Sequence, residues 1–374
     1  MQGSLRIEAA HGNGASTEEE GAVARQKRSV ETMSDGPRVA VVIVNYRTPN
    51  LAMRCMASLS RERASLPSLR VVVVDGGSGD GSAAVLAEAL KAPEYSGWAS
   101  LLPLETNGGY GWANNQAILT LGREPSAPNF IHVLNPDTEI EQGAVIALAS
   151  ELVANPRCGA AGSQLLDTDG KPVASAFRFP SLGREFAGAA QSDAVRRALG
   201  IQGIIVSPSE GAEVDWVSGA SVMFRVEALR DTGLFDDGFF LYFEEVELMH
   251  RLRAKGWSVR HVPESRVVHV EGAATGVGAG ATERPFPPYW YLSRRRYFEL
   301  TGGKAALVAA NLASLGGQAI AGIKRGIGRA PANKSLRTGD FLRLAFWPSG
   351  HGARPSVPRL GDPPARPPAW MTLR

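Results

Sequence analysis

Acidic and amide side chains stand at the ends of several apolar runs in this chain, and Phe130–Glu139 (FIHVLNPDTE) shows the chemistry they suit. Phe130 to Leu134 reads as a buried strand. Pro136 ends it, because proline lacks a backbone donor and pushes Asn135 toward an extended conformation. Asn135, Asp137 and Glu139 then stand at the carboxyl end of a strand, where open α/β sheets bind ligands. A hard oxygen ligand in that place suits Mg²⁺ or Mn²⁺ carrying a diphosphate. Asp137 would serve equally well as the cap of a helix beginning near Glu141. This stretch alone leaves both roles open.

Two further stretches carry candidate groups. In Phe239–Trp257 (FFLYFEEVELMHRLRAKGW), the segment Phe243–Ala254 has helical period and ends at Gly256. Leu248, Met249 and Leu252 follow Glu245 at helical spacing, which puts Glu245 on the inward face. A carboxylate aimed among apolar residues is costly to bury, and a partly buried one can act as a general base near neutral pH. Glu244 and Glu247 lie to one side. Glu247 can pair with Arg251 and balance the helix dipole. His269 closes the run Val267-Val268-His269 before a Gly-rich loop, Gly272–Gly280, and is a candidate second protein ligand for the metal. A lone histidine in such a place is also commonly structural.

These groups need elements to position them. Arg38–Val44 is a continuous β-branched run ending in Asn45-Tyr46-Arg47, and Arg70–Val74 is a second, ending in Asp75-Gly76-Gly77-Ser78. Both read as buried parallel strands delivering polar loops. The Gly-rich turn after Asp75 lets backbone approach a ligand or simply turns tightly, and its glycine spacing is not the dinucleotide fingerprint. A strand near Leu101–Leu104 leads to a loop, Thr106–Asn115, and a helix over Asn115–Leu121. The amides in that loop, Asn107 and Asn114 among them, suit ribose or phosphate, or cap the helix. Strand tips carrying Asn45, Asp75 and Asp137 converge on one polar edge of a parallel α/β sheet, which reads as a nucleotide site.

The 374 residues, with 44% hydrophobic and 21% charged content, are enough for a sizeable core in one large or two ordinary domains. A formal net charge of +3 gives no argument for nucleic acid as a partner. Cys55 and Cys158 form neither a metal spacing nor a disulfide framework, which fits a reducing compartment. No basic-then-apolar leader opens the sequence, and a cytoplasmic location is expected. Residues 1–36 are polar and aperiodic, the signature of a disordered tail. Gly159–Leu166 and Val214–Phe224 read as strands, with Gly219 marking a bulge or close approach. The stretch from Ala174 to Ala212 reads as a variable loop, and Trp257–His269 as a strand pair. Tyr289–Phe298 (YWYLSRRRYF) reads as a surface helix whose Arg294-Arg295-Arg296 meet anionic lipid or a substrate phosphate. Ala305–Ile323 is expected to be an interfacial or packing helix, not a membrane span. Phe341–Trp347 is a candidate apolar anchor within a Pro- and Arg-rich tail, Pro331–Arg374, expected to be largely mobile.

The motifs VAVVIVNYR, VVVVDGGSGDGS, NGGYGWANN, VLNPDTE, FFLYFEEVELMHR and VVHVEG, in this order across roughly residues 38–300, resemble the family 2 inverting glycosyltransferases. The likeness is to the rhamnosyltransferase-like bacterial branch that builds cell-wall and surface polysaccharides. It implies a GT-A fold over residues 37–300, with a nucleotide-binding half (37–140) and an acceptor half (141–300), followed by an extension over 301–374. It implies a nucleotide-sugar donor, rhamnose being the favoured sugar, and a glycan or lipid-linked acceptor. Asn45, Arg47, Asp75, Asn107, Asn114 and Asn135 are then the donor-binding candidates, with Asp75 at the base. Asp137 is similar to the last Asp of the family's metal-binding D-x-D, with Asn135 in place of the first Asp, and His269 resembles a second ligand of the Mg²⁺ or Mn²⁺. Glu245 stands where the family usually has the catalytic Asp of a Glu-Asp pair, and Glu244 is the alternative base. The lipid-linked acceptors of the family make the C-terminal region a candidate for peripheral contact with the inner face of the membrane. A nucleotidyltransferase, or a silent relative that only binds nucleotide sugar, are the competing expectations.

Overall fold

Strands made of β-branched residues with no polar alternation must be covered on both faces, and the computed structural model buries them at the centre of a nine-stranded sheet. The structure describes residues 36–206, 212–270, 285–326, 336–347 and 353–367. Arg38–Arg374 form one compact unit. The expected tail over 1–36 and the loop Gly272–Gly280 lie outside the described residues, apart from Gly36.

Strands β1 (Val39–Asn45), β2 (Arg70–Asp75), β3 (Ala99–Pro103) and β4 (Phe130–Leu134) alternate with helices α1 (Pro49–Ser60), α2 (Ser82–Ala89) and α3 (Tyr110–Leu121). The strands pair in parallel in the order β3-β2-β1-β4. The strand order reverses between β1 and β4, the topological switch point at which such sheets bind ligands. Every residue of β1 and of β4 is buried.

After β4 the chain makes a short strand, β5 (Thr138–Ile140), and α4 (Ala144–Ala154) follows. It then adds β6 (Cys158–Leu166) and three further strands to the main sheet, and builds a small second sheet between them. That second sheet joins β7 (Ala176–Phe177), β8 (Ile205–Val206) and β10 (Trp216–Val217). Between its strands lie α5 (Leu182–Ala190) and α6 (Asp193–Ala198), so the stretch expected as a variable loop is partly structured. Short amphipathic segments of this kind carry too few residues to announce themselves by period.

Strand β9 (Ala212–Val214) pairs with β12, and β11 (Ser221–Arg225) runs antiparallel between β4 and β6. Helices α7 (Val226–Thr232) and α8 (Glu244–Ala254) precede β12 (Ser258–His269). The last is one bulged strand, where the sequence suggested a pair. Pro263 and the register shift between Val262 and Arg266 account for the apparent break.

The final long element, α9 (Pro288–Gly326), bends at Gly303, whose φ of 73° is left-handed and suits only glycine without strain. It runs across the boundary expected at residue 300 and packs its later half along α5. There Gly317 is essential to the fit: a Cβ on it would collide with the Phe186 carbonyl and lie 2.8 Å from Ala189 Cβ. The expectation of a packing helix agrees with this contact. Residues 353–367, expected to be mobile from their proline content, lie against the body instead. Leu234 N donates to Pro358 O, Asp237 N to Ser356 O and Trp112 Nε1 to Ala365 O.

Arg294, Arg295 and Arg296 were expected to face lipid or phosphate and do not. Arg294 is buried between Glu185 (2.6 Å) and Asn311 (2.6 Å), Arg296 pairs with buried Asp236 (2.8 Å), and Arg295 donates to the Leu344 carbonyl. A planar guanidinium fork fits such multi-partner ties, and here it fastens α9 to three neighbouring segments.

Candidate active site

A cavity of about 520 Å³ opens at the carboxyl ends of β1 and β4. One wall is made by Asn135, Pro136, Asp137 and His269. Strand register explains how residues so distant in sequence meet. β5 pairs antiparallel with the end of β12, setting His269 across from Thr138 and next to Asp137. His269 Nε2 lies 3.4 Å from Asp137 Oδ1, and Val270 N donates to the Asp137 carbonyl. The Asp137 cap alternative is excluded, because α4 opens only at Ala144, with Gly143 before it. Glu139 points elsewhere and pairs with exposed Arg54.

Two protein ligands, a carboxylate and an imidazole, are a fitting but incomplete set for a hard divalent cation; diphosphate and water oxygens would supply the rest. Among the described residues no group of three or more His, Cys, Asp or Glu gathers as a metal site. His269 Nδ1 is buried without a hydrogen-bond partner.

The facing wall carries Glu244 and Glu245 at the first turn of α8. The approach is strained. Tyr242 and Phe243, both non-glycine, hold φ of 69° and 67° immediately before the helix, a conformation that costs roughly 1–3 kcal/mol each and that concentrates at functional sites. The preceding loop is fixed by Asn115, whose Nδ2 donates to Phe235 O and Asp237 Oδ1, each at 2.8 Å, while its Oδ1 accepts from Phe235 N. Arg251 adds bonds to the carbonyls of Thr232 and Leu234 while pairing with Glu247 at 2.7 Å, as the helical spacing suggested.

Both cavity glutamates have one carboxylate oxygen buried without a partner. Burial pushes the Glu245 carboxyl up to about 7. Glu244 is driven well above the carboxylate range, first by burial and next by the Glu245 charge. Two adjacent buried carboxyls titrate as a pair, and burial favours the neutral form of both.

The remaining walls are Tyr110 and an aromatic set, Phe240, Tyr242 and Tyr289, in which Tyr242 and Tyr289 stack at 6.0 Å. Tyr110 Oη donates to the Gly219 carbonyl at 3.2 Å, and Gly219 itself sits opposite Glu245. The close approach expected at Gly219 is not a tight one: a Cβ there would lie 3.5 Å from Glu245 Cβ, ordinary van der Waals contact. Sequence reasoning did not find the aromatic residues as site groups. Their signal was the aromatic density of Phe239–Phe243 and Tyr289–Tyr291.

Of the expected donor-binding residues, Asn107 and Asn135 line the cavity. Asn45 and Asp75 are buried just behind it: Asn45 Nδ2 and Ser78 Oγ donate to Asp75 Oδ1 at 2.8 and 2.6 Å, beneath cavity residues Tyr46 and Gly76. Arg47 reaches the Ser78 carbonyl from a left-handed φ of 59°. Asn114 is fully buried on α3, its amide bonded to the Tyr110 carbonyl, and does not face the cavity. The reason is that α3 begins at Tyr110, a turn earlier than the sequence suggested, so both Asn114 and Asn115 are helical.

With this geometry in place, comparison with known proteins defines the class. Residues 40–192 match Glycosyl transferase family 2, and residues 153–298 match Glycosyl transferase family group 2. The chain is 33% identical over 245 residues to an N-acetylglucosaminyl-diphospho-decaprenol L-rhamnosyltransferase of Mycobacterium tuberculosis, strains CDC 1551 and H37Rv, an alignment covering 63% of this chain and 77% of that one. This chain belongs to glycosyl transferase family 2, and within it is rhamnosyltransferase-like. Among solved structures it is similar to the mannosyltransferase PcManGT from Pyrobaculum calidifontis in complex with GDP-Man and Mn²⁺, with TM-score 0.48 and 15% identity, covering 82% of this chain and 79% of that one. GalNAc-T7 with UDP, GalNAc and Mn²⁺ gives TM-score 0.48 and 16% identity, covering 72% and 54%. Those likenesses are distant, and no residue role rests on them.

Proposed function

We propose that this protein transfers a sugar, L-rhamnose in the favoured reading, from a nucleotide-sugar donor to an N-acetylglucosaminyl-diphospho-polyprenol acceptor in cell-wall polysaccharide synthesis, with inversion at the anomeric carbon. The observation that carries the reading is one cavity at a sheet switch point with a carboxylate–imidazole pair on one wall and a glutamate pair of raised pKa on the other. The rhamnosyltransferase relative supports the choice of sugar and acceptor.

In this reading the nucleoside lies over Gly76 and Tyr46, above Asp75 and Asn45, with Asn107 and Asn135 beside the sugar and diphosphate. Asp75 keeps lone pairs beyond those used by Asn45 and Ser78. Asp137 and His269 would hold a divalent cation, which supplies positive charge to the leaving diphosphate. Glu245 accepts the proton of the acceptor hydroxyl as that oxygen attacks the anomeric carbon from the face opposite the leaving group. Glu244, protonated, leaves the pair with one negative charge and one base. The aromatic wall gives the acceptor sugar a face to stack on and keeps water from the reacting carbon.

The test is titration with a panel of nucleoside diphosphates and nucleotide sugars, in Mg²⁺ or Mn²⁺ and in chelator, on wild type and Asp137→Ala. Binding of one nucleotide that needs metal, and is lost in the variant, is the expected result. Binding indifferent to both would overturn the donor site.

A further inference from the structure

Between Lys304 and Lys324 the sequence of α9 contains no charged residue. By length and composition the helix could cross a membrane, yet a third of its most apolar 18-residue stretch is buried inside the molecule. The buried side is set by packing: Ala310, Ser314, Gly317 and Ala321 recur at helical spacing, and this face meets α5 at Phe186, Ala189 and Ala190. A second side is taken by Phe341–Phe346, where Asn311 Nδ2 donates to the carbonyls of Ala345 and Phe346.

Among the described residues the outer side is left open. Leu312, Ala319 and Ile323 recur along it at helical spacing and are exposed, Leu312 by 56% and Ile323 by 68%, while Gly316 between them lies beside Phe186. Leu342 and Trp347 stand exposed on the neighbouring segment, Trp347 by 68%. Charge frames this apolar strip. Lys304 lies at one end and Lys324 and Arg325 at the other, Lys324 also donating to the Gln191 carbonyl, with Arg337 and Arg343 on the neighbouring segment, where Asp340 pairs with Arg343. A water-exposed helix face normally carries polar residues along its length. An apolar strip about 17 Å long, from Leu312 to Ile323, with basic residues beyond its ends and a flanking tryptophan has instead the pattern of a helix lying in the headgroup layer of a bilayer.

We propose that the outer face of the Lys304–Arg325 half of α9, with Leu342 and Trp347, docks flat on an anionic lipid bilayer. The helix does not span it, because α5, whose Glu185 pairs with buried Arg294, occupies the opposite side. The same helix carries Tyr289 on the wall of the active-site cavity at its other end. Docking therefore fixes the cavity relative to the bilayer that would hold a polyprenyl-linked acceptor. The proposal rests on the reading of a lipid-linked acceptor for the site's orientation, but its test does not.

The full-length protein is floated with vesicles of phosphatidylcholine alone and of phosphatidylcholine mixed with phosphatidylglycerol, as wild type and as Leu312→Glu/Ile323→Glu. Wild type is expected to bind the mixed vesicles, and the double variant to lose about tenfold or more in partitioning while keeping its melting temperature and nucleotide binding. A Leu312→Cys variant labelled with an environment-sensitive dye gives a second readout. Cys55 and Cys158 are both buried, so the label goes to residue 312, and its emission should shift to the blue on adding mixed vesicles. Wild type that stays free of both vesicle types, or a double variant that floats like wild type, overturns the proposal. Dimers that dissociate in the double variant without any vesicle binding would assign the face to a second copy of the chain. Loss of nucleotide binding in wild type would instead strike at the proposed function, leaving the vesicle result to stand by itself.

Discussion

Glu244 and Glu245 are neighbours in sequence, and the proposed mechanism gives them different work. Glu245 lies beside Gly219 on the cavity and its carboxyl is pushed up to about 7 by burial, while Glu244 is driven further. A base must be ionised to act, so the rate of transfer at low substrate should rise with pH through about 7 and level off above it. Glu245→Gln is expected to lower kcat by about 10²- to 10⁴-fold with donor binding retained. Glu244→Gln, removing a carboxyl whose charged form burial disfavours, should keep most of the activity and the same rising limb. An inactive Glu244→Gln beside an active Glu245→Gln would exchange the two roles. The sequence showed that one of this pair aims inward. It did not show that both reach the cavity, because helical period reports direction and not the kinked entry at Tyr242-Phe243.

The elements that hold this pair are less legible than the strands that hold Asp137. Runs such as VAVVIV and FIHVL announce buried strands through composition alone, and the Pro136 stop placed Asp137 correctly at a strand end. His269 was found as a candidate, but its meeting with Asp137 depends on the β5–β12 register, and β5 is too short to show a pattern. Asn115 illustrates the opposite failure. It stood among amides that suggested ligand binding, yet it clasps the loop leading to Glu244. Asn115→Ala leaves buried groups on Phe235 and Asp237 without partners. The expected loss is about 1–3 kcal/mol in chemical denaturation, with activity falling beyond what stability explains. Arg294, Arg295 and Arg296 failed for a related reason. A run of arginines reads as a surface patch until the tertiary partners Glu185, Asn311 and Asp236 are known.

At the scale of the whole molecule, the first half was readable as a parallel α/β sheet, because each strand–helix unit is local. The second half was not. Its strands β6, β11 and β12 pair across long sequence separations, and residues 353–367 are held by backbone bonds that no composition reveals. The raised carboxyls have a consequence for stability. Glu244 binds its proton more tightly in the fold than its ordinary value of 4.5 allows in the unfolded chain. Its contribution is therefore full below pH 4.5 and is lost as pH rises toward its folded value. Glu244→Gln should melt progressively higher than wild type as pH rises from 4.5 into the alkaline range, by a few degrees, and the gap should close in acid. A constant gap at all pH values would show that Glu244 is ionised in the fold.

The measurement that bears most directly on the whole account is transfer itself. Purified protein would be given a panel of nucleotide sugars and a short-chain N-acetylglucosaminyl-diphospho-prenol, with the product's anomeric configuration read by nuclear magnetic resonance, for wild type, Glu245→Gln and Asp137→Ala. One donor, a product of inverted configuration, and activity lost in both variants are expected, with nucleotide binding surviving in Glu245→Gln alone. Transfer undiminished in Glu245→Gln and Glu244→Gln alike, or a product of retained configuration, would contradict the proposed function.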